Sequence, residues 1–284
     1  MSLTLVQAWT QARDRLSAAG VEGPVIDARL LVEAAAGATR TDIIADPHRA
    51  LTQAQAAALD GYLARRERRE PVSHILGRKG FWKIMVGVTP DVLTPRPDTE
   101  TLVDLILRDL PEGRSFSILD LGVGSGAILL AILAERPAGK GLGVDVSDAA
   151  LAVARENAAN LGLAQRTALL RGDWTLGLAD ESFDVVVSNP PYVASGDIPT
   201  LAPEVRDHEP RVALDGGPDG LDAYRRLAPE ILRVLNPGGR FAVEIGAGQA
   251  AAVLGQFAAA GAVGLETARD LGDRDRVVAG RRRP

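Results

Sequence analysis

Residues Asn189-Pro190-Pro191-Tyr192 set an amide, a carbonyl and a flat ring side by side. Asn189 offers an amide oxygen and an amide NH2. Pro190 offers a carbonyl with no N–H of its own to compete, and Tyr192 offers an aromatic face. The set suits a planar group that carries an NH2. The apolar run 183–187 just before it reads as a buried strand ending in Ser188. Two successive prolines have no N–H for a sheet ladder, so the chain must leave the sheet with Asn189 at the strand's carboxyl end. Open α/β sheets bind their ligands at such ends.

A second constellation lies upstream. Asp120-Leu121-Gly122-Val123-Gly124-Ser125-Gly126-Ala127 joins a predicted strand to a predicted helix. Its glycines let a ligand approach the backbone closely. Gly122, Gly124 and Ala127 fit the dinucleotide fingerprint. The loop equally fits one that passes under the methionine and ribose of S-adenosylmethionine (AdoMet), where an acidic residue precedes the glycines as Asp120 does. Asp145 ends the next strand, and its carboxylate could take both ribose hydroxyls of either cofactor. Gly172-Asp173-Trp174 follows the third strand. Asp173 could accept from an adenine amino group and Trp174 could stack on the ring, or Trp174 could simply pack beneath the loop. Three adenosine-shaped features at three successive strand ends favour AdoMet over a dinucleotide.

The elements that must position these residues follow from periodicity. Residues 1–70 read as helices, with apolar residues at helical spacing and stops at Gly20, Gly37 and Pro47. The run Arg65-Arg66-Glu67-Arg68-Arg69-Glu70 reads first as a solvated helix end, where cations suit the dipole, and second as a partner-docking patch. Residues 72–94 read as a β-hairpin that connects two domains. In Thr94-Pro95-Arg96-Pro97-Asp98-Thr99-Glu100, Asp98 or Thr99 is placed to cap a helix over 100–109, and Arg96, held between prolines, suits gripping a carboxylate. From 116 onward strands alternate with helices: strands at 117–121, 141–146, 167–171, 183–188, 240–245, 263–269 and 276–280, with helices that include 127–135, 148–161 and 220–235. This alternation predicts an α/β fold with a mostly parallel, doubly wound, seven-stranded sheet.

Composition narrows the function classes. The 284 residues include no cysteine, which excludes disulfides, thiolate nucleophiles and cysteine-ligated metals. The three histidines have no metal-ligand spacing, so no metal is expected. No basic region with an apolar core opens the chain, and no apolar run approaches about 18 residues, so a soluble, cytoplasmic protein is expected. Net charge is −5. Residues 1–85 carry 12 Lys+Arg against 9 Asp+Glu, which leaves the remainder acidic. An acidic main domain argues against a nucleic-acid face.

Taken together, these residues resemble the HemK/PrmC family. The [NDS]-P-P-[YFW] motif of amino-group methyltransferases is present as Asn189 to Tyr192. Phe81 with Val92 to Glu100 is similar to that family's segment before the glycine loop. Asp120 to Gly126, Asp145-Val146-Ser147, Glu204-Val205 with Glu209-Pro210, Asp219-Gly220-Leu221-Asp222 and Glu244-Ile245-Gly246 are similar to further family motifs. The resemblance extends to the N-terminal helices. It implies a Rossmann-like class I AdoMet-dependent methyltransferase domain at 95–284, a hairpin linker at 72–94 and a helical substrate-recognition domain at 1–71. The implied activity is N5-methylation of the glutamine in the Gly-Gly-Gln motif of class-1 peptide chain release factors, with S-adenosylhomocysteine as product. The implied cofactor residues are Gly122, Val123, Gly124, Ser125, Gly126, Asp145, Trp174 and Asn189. Asn189, Pro190, Pro191 and Tyr192 would hold the glutamine, with Asn189, Pro190 and Tyr192 acting in catalysis. A monomer without direct nucleic-acid or membrane binding is expected. The competing readings are an adenine-N6 methyltransferase acting on a flipped base, a ribosomal-protein glutamine methyltransferase and a non-catalytic AdoMet-binding module.

Overall fold

The computed structural model describes residues 3–284. Its contacts divide the chain into two units. One runs up to Gly77 and also takes Ala202–His208; the other comprises Arg78–Leu201 and Glu209–Pro284.

The first unit is built from α1 (Leu5–Ala18), α2 (Pro24–Ala36), α3 (Arg40–Ala45), α4 (Gln53–Glu67) and α5 (Val72–Leu76), with the short α9 (Pro203–Arg206) returning from later in the chain. Thr4, Thr39 and Thr52 begin α1, α3 and α4. Each accepts from the third helical residue, whose Gln7, Asp42 or Gln55 side chain bonds back to the cap N–H. Leu5, Leu16, Leu31, Leu59 and Leu63 meet in the core.

The arginine run at the end of α4 is not a solvated helix end. Arg66 is 5% exposed. Its Nε lies 2.7 Å from Asp27 Oδ2 and its Nη2 2.8 Å from Glu204 Oε1. Arg69 Nη2 donates to Glu204 Oε2 at 3.0 Å. Arg65 pairs with Glu70, and Arg15 with Glu67. The partners of Arg66 stand 39 and 138 positions away, beyond the reach of any local pattern.

In the second unit, β1 (Arg78–Phe81) and β2 (Ile84–Gly87) form a tight hairpin. It is anchored rather than free. The buried Asn157 accepts from Gly87 N–H at 2.6 Å and donates to Gly87 O at 3.0 Å. Trp82 N–H donates to Glu100 at 2.8 Å. The stretch 72–94 is therefore shared out, with α5 in the first unit and the hairpin in the second.

The sheet consists of β3 (Phe116–Leu121), β4 (Gly139–Asp145), β5 (Thr167–Arg171), β6 (Phe183–Ser188), β7 (Leu235–Glu244), β8 (Val263–Arg269) and β9 (Asp275–Arg281). Its order is β5-β4-β3-β6-β7-β9-β8, parallel except where β9 pairs with β7 and β8. Side chains alternate between two cores, as strand geometry requires. Val185 and Val187 join the core of α6 (Glu100–Asp109), α7 (Ala127–Glu135) and α8 (Asp148–Asn160). Val186 joins that of α10 (Asp222–Val234) and α11 (Ala250–Ala259). β7 starts earlier than the Pro-Gly-Gly sequence suggests. Leu235 already pairs with Phe183, and the register shift opposite Phe183/Val185 absorbs the irregular residues.

The strand order reverses between β3 and β6. Their last pair is Leu121↔Ser188, so Gly122 and Asn189 leave the sheet as neighbours. No helix among the described residues is long and apolar enough to cross a membrane.

Removing the guanidinium at position 66 strands Asp27, which is less than one-fifth exposed, and leaves Glu204 with Arg69 alone. Arg66→Ala is expected to lower unfolding free energy by about 3 kcal/mol, read as a reduced denaturant midpoint. A midpoint equal to wild type would show that the network is not stabilising.

Candidate active site

A cleft of about 350 Å3 opens where the strand order reverses, the position expected of a ligand site in a doubly wound sheet. Gly122, Val123, Gly124, Ser125, Asp145 and Trp174 line it from one side, Thr99, Asn189 and Pro191 from the other.

The glycine loop is pinned from beneath. Gly122 and Val123 N–H donate to Val144 O at 2.9 and 3.0 Å. Asp145 receives Gly124 N–H on Oδ2 and Ser147 N–H on Oδ1, each at 2.9 Å. One donor per oxygen fixes the carboxylate and leaves each oxygen a further lone pair. Trp174 sits at φ +56°, a backbone state that costs on the order of 1–3 kcal/mol. A Cβ built on Gly122 would lie 3.5 Å from its ring. Trp174 packs on the core and lines the cleft at once, so the two expectations for it are compatible. Asp173 is engaged elsewhere, 2.8 Å from Arg226, and both are exposed at the cleft.

Asp120 does not reach the cleft. Gly126, at φ +82°, precedes α7 and has no side chain with which to cap it. Asp120 supplies the acceptor instead, taking Leu129 N–H on Oδ2 at 3.2 Å. Its Oδ1 is buried without a partner. Burial pushes its carboxyl up to about 7; the Leu129 hydrogen bond opposes this and the charge of Asp145 adds to it.

On the other side, Asn189 Nδ2 stands 3.4 Å from Thr99 Oγ1. Pro190 is buried and does not line the cleft. Tyr192 turns away from it. Its ring packs on the core near Gly246 and its hydroxyl donates to Glu244 Oε1 at 3.4 Å. Gly220, at φ +74°, passes so close that a Cβ there would lie 2.3 Å from Tyr192 O. Gln249 Nε2 ties the two carbonyls together, donating to Tyr192 O at 3.0 Å and Gly220 O at 3.2 Å.

In the segment before α6, the expectation for Thr99 fails and that for Arg96 holds. Thr99 makes no helix cap; its hydroxyl meets Asn189. Arg96 does hold a carboxylate, but one of this chain: Glu209, 2.6 Å away and also accepting Thr94 N–H at 3.3 Å. Burial pushes the Glu209 carboxyl up against the opposing effect of Arg96.

Known proteins share both the sequence and the fold. A PrmC N-terminal domain model matches residues 7–77 and a methyltransferase domain model residues 113–259. The chain is 66% identical over 284 residues to the release factor glutamine methyltransferase of Caulobacter vibrioides, covering 100% of this chain and 98% of that one. It is 48% identical over 269 residues to that of Rhodospirillum rubrum, covering 95% and 82%. The chain belongs to the release factor glutamine methyltransferase family. A methyltransferase from Pyrococcus furiosus superposes with a TM-score of 0.52 at 18% identity, over 70% of this chain and 89% of that one, a likeness of fold.

For this family member, sequence reasoning missed Asn157 and the contact between Thr99 and Asn189. Besides gripping the hairpin, Asn157 donates to Ser125 O at 2.8 Å and so ties the hairpin to the glycine loop. Its signal was available: a lone polar residue on the buried stripe of α8, in step with Ala150 and Ala154.

The folded-state value of Asp120, about 7, lies above the ordinary 3.8. Its stability contribution is therefore complete below pH 4 and is lost as pH rises through 7. Asp120→Asn carries no charge at any pH and keeps an acceptor for Leu129. Its melting temperature is expected to match wild type near pH 4.5 and to exceed it by several degrees at pH 8. A difference that does not change with pH would remove the buried charge from this account.

Proposed function

We propose that this chain transfers a methyl group from AdoMet to the side-chain amide nitrogen of the glutamine in the Gly-Gly-Gln motif of class-1 peptide chain release factors. The observation that carries this reading is the adjacency of Gly122 and Asn189 at the reversal of the strand order. It sets an adenosine-sized cleft against an amide acceptor in a chain of this family.

The residues present fit AdoMet. The Asp145 carboxylate has lone pairs left for two ribose hydroxyls, Trp174 offers a ring for the adenine, and Gly122, Val123, Gly124, Ser125 and Gly126 would run under the methionine and ribose. When bound, AdoMet supplies an electrophilic methyl on a sulfonium. A carboxamide nitrogen is a poor nucleophile because its lone pair is delocalised into the carbonyl, so the task of the protein is alignment. Asn189 Oδ1, which lines the cleft where Pro190 does not, accepts an N–H of the glutamine. This holds the nitrogen with its lone pair toward the methyl group and stabilises the positive charge that develops on it until its surplus N–H proton leaves to water. Alignment of this kind supplies up to roughly 7–11 kcal/mol. Pro191 shapes the wall beside the amide. Tyr192, anchored by Glu244, Gln249 and the close approach of Gly220, keeps the turn rigid. The helical unit ending at Gly77 is assigned to recognition of the release factor outside its glutamine loop.

Tritiated AdoMet offered separately to release factor, ribosomal proteins and DNA tests the substrate; label on the release factor glutamine is expected, and label on DNA alone would overturn the reading. Asn189→Ala is expected to lose at least about 100-fold in kcat with a much smaller loss of AdoMet affinity. Near wild-type turnover would remove Asn189 from the chemistry. Asp145→Ala is expected to weaken AdoMet binding at least about tenfold by calorimetry, the loss of two charged hydrogen bonds. Unchanged affinity would exclude Asp145 from the ribose site.

A further inference from the structure

The cleft runs across the carboxyl ends of neighbouring strands, and the residues along it give it a direction. Trp174 follows β5, Asp145 ends β4, the glycine loop follows β3 and Asn189 follows β6, which is also the order of these strands in the sheet. Adenine at Trp174 and ribose at Asp145 therefore place the methionine end of AdoMet past the glycine loop, on the side of β3 and β6.

That end carries an α-carboxylate, and a carboxylate drawn out of water needs a cation or hydrogen-bond donors in exchange. Among the described residues the cleft is lined by two cations, Arg226 and Arg96. Arg226 belongs to the adenine end: its Nη2 donates at 2.8 Å to Oδ2 of Asp173, the residue before Trp174. Arg96 belongs to the other end. It shares a short segment with Thr99, whose hydroxyl is 3.4 Å from Asn189 Nδ2, and lines the cleft beside Leu93 and Pro95.

We propose that Arg96 receives the carboxylate of the AdoMet methionine, with Glu209 as the positioning residue that holds the guanidinium. This rests on the reading of the cleft as an AdoMet site. The local structure suits the task. Prolines on both sides restrict the backbone of Arg96. Its Nη2 donates to Glu209 Oε2 at 2.6 Å, and the Glu209 side chain is 1% exposed. Glu209 Oε1 takes Thr94 N–H at 3.3 Å, so the strut is itself fixed. The Arg96 side chain stays 37% exposed, and its Nε and Nη1 have no partner among the described residues. A guanidinium carries more N–H groups than one carboxylate can use, and its planar fork matches a second one. An ion pair serving packing alone has no need of donors left facing a cleft. Glu209 also offsets the charge of Arg96, so recognition comes from directed hydrogen bonds rather than from a general positive field.

The test is calorimetric binding of AdoMet and of decarboxylated AdoMet to the full chain; the analogue keeps the adenine, ribose, sulfonium and amine. Wild type is expected to bind AdoMet at least about tenfold more tightly than the analogue, as befits a charge-assisted hydrogen bond. Arg96→Gln is expected to weaken AdoMet at least about tenfold and the analogue by less than about threefold, so that the preference collapses. The double variant Arg96→Gln/Glu209→Gln strands no buried charge, which guards against loss of folding, and is expected to show the same collapse. A role confined to bracing the segment before α6 would weaken both ligands alike and leave their ratio unchanged. An unchanged ratio in the double variant, or a wild-type chain that does not distinguish the two ligands, would overturn the inference while leaving the AdoMet site and the glutamine assignment intact. A wild-type chain that binds neither ligand would overturn both readings.

Discussion

Pro190 and Pro191 give the sheet no N–H, and β6 therefore has to stop at Ser188. The turn that follows has no ladder to hold it, so its rigidity must come from packing. Glycines at 216, 220 and 246 permit the necessary closeness: a Cβ at any of the three would come within 3.1 Å of the 191–192 segment. Gln249, Tyr192 and Glu244 complete the brace with side-chain hydrogen bonds. The reversal of strand order supplies the other half of the arrangement, because it leaves the glycine loop beside this braced turn with no strand between them.

Much of this was legible in the sequence, and for local reasons. Proline pairs, glycine loops and alternating apolar runs act through the backbone within a few residues, so the strand ends and the helix stops at Gly20 and Gly37 could be read directly. Asn189, Asp145 and Trp174 stand at strand ends and are gathered by the topology alone. What stayed hidden depends on partners far along the chain. Arg66 looked like a surface charge because Glu204 is 138 positions away. Thr99 looked like a helix cap because Asn189 is distant from it. Arg96 was read as suited to a carboxylate, and the one it grips, Glu209, lies 113 positions away. In each case the residue type was read correctly as an acceptor or a cation, and only the identity of the partner was lacking.

The buried carboxylates of the second unit show how environment divides one functional group among several tasks. Asp120 meets a single N–H and remains under-satisfied beneath the loop. Glu209 meets a guanidinium and a main-chain N–H and ties the 94–96 segment down. Glu244 accepts from the Tyr192 hydroxyl on one oxygen, keeps the other unpartnered, and faces an arginine already shared between two aspartates. Such groups destabilise when charged and incompletely paired. Their concentration around the cleft is what is expected where polarity serves chemistry rather than stability.

The return of Ala202–His208 to the first unit has a bearing on modularity. A gene fragment ending at Gly77 would encode helices α1 to α5 but omit Glu204, leaving Arg66 with Asp27 alone of its two carboxylate partners. The helical unit is in this sense not a bead on a string. It is completed by the segment 202–208, which follows Asn189 in the chain and brings Glu204 to Arg66 and Arg69. The ion network of the helical unit thus depends on a segment more than a hundred residues further along the chain.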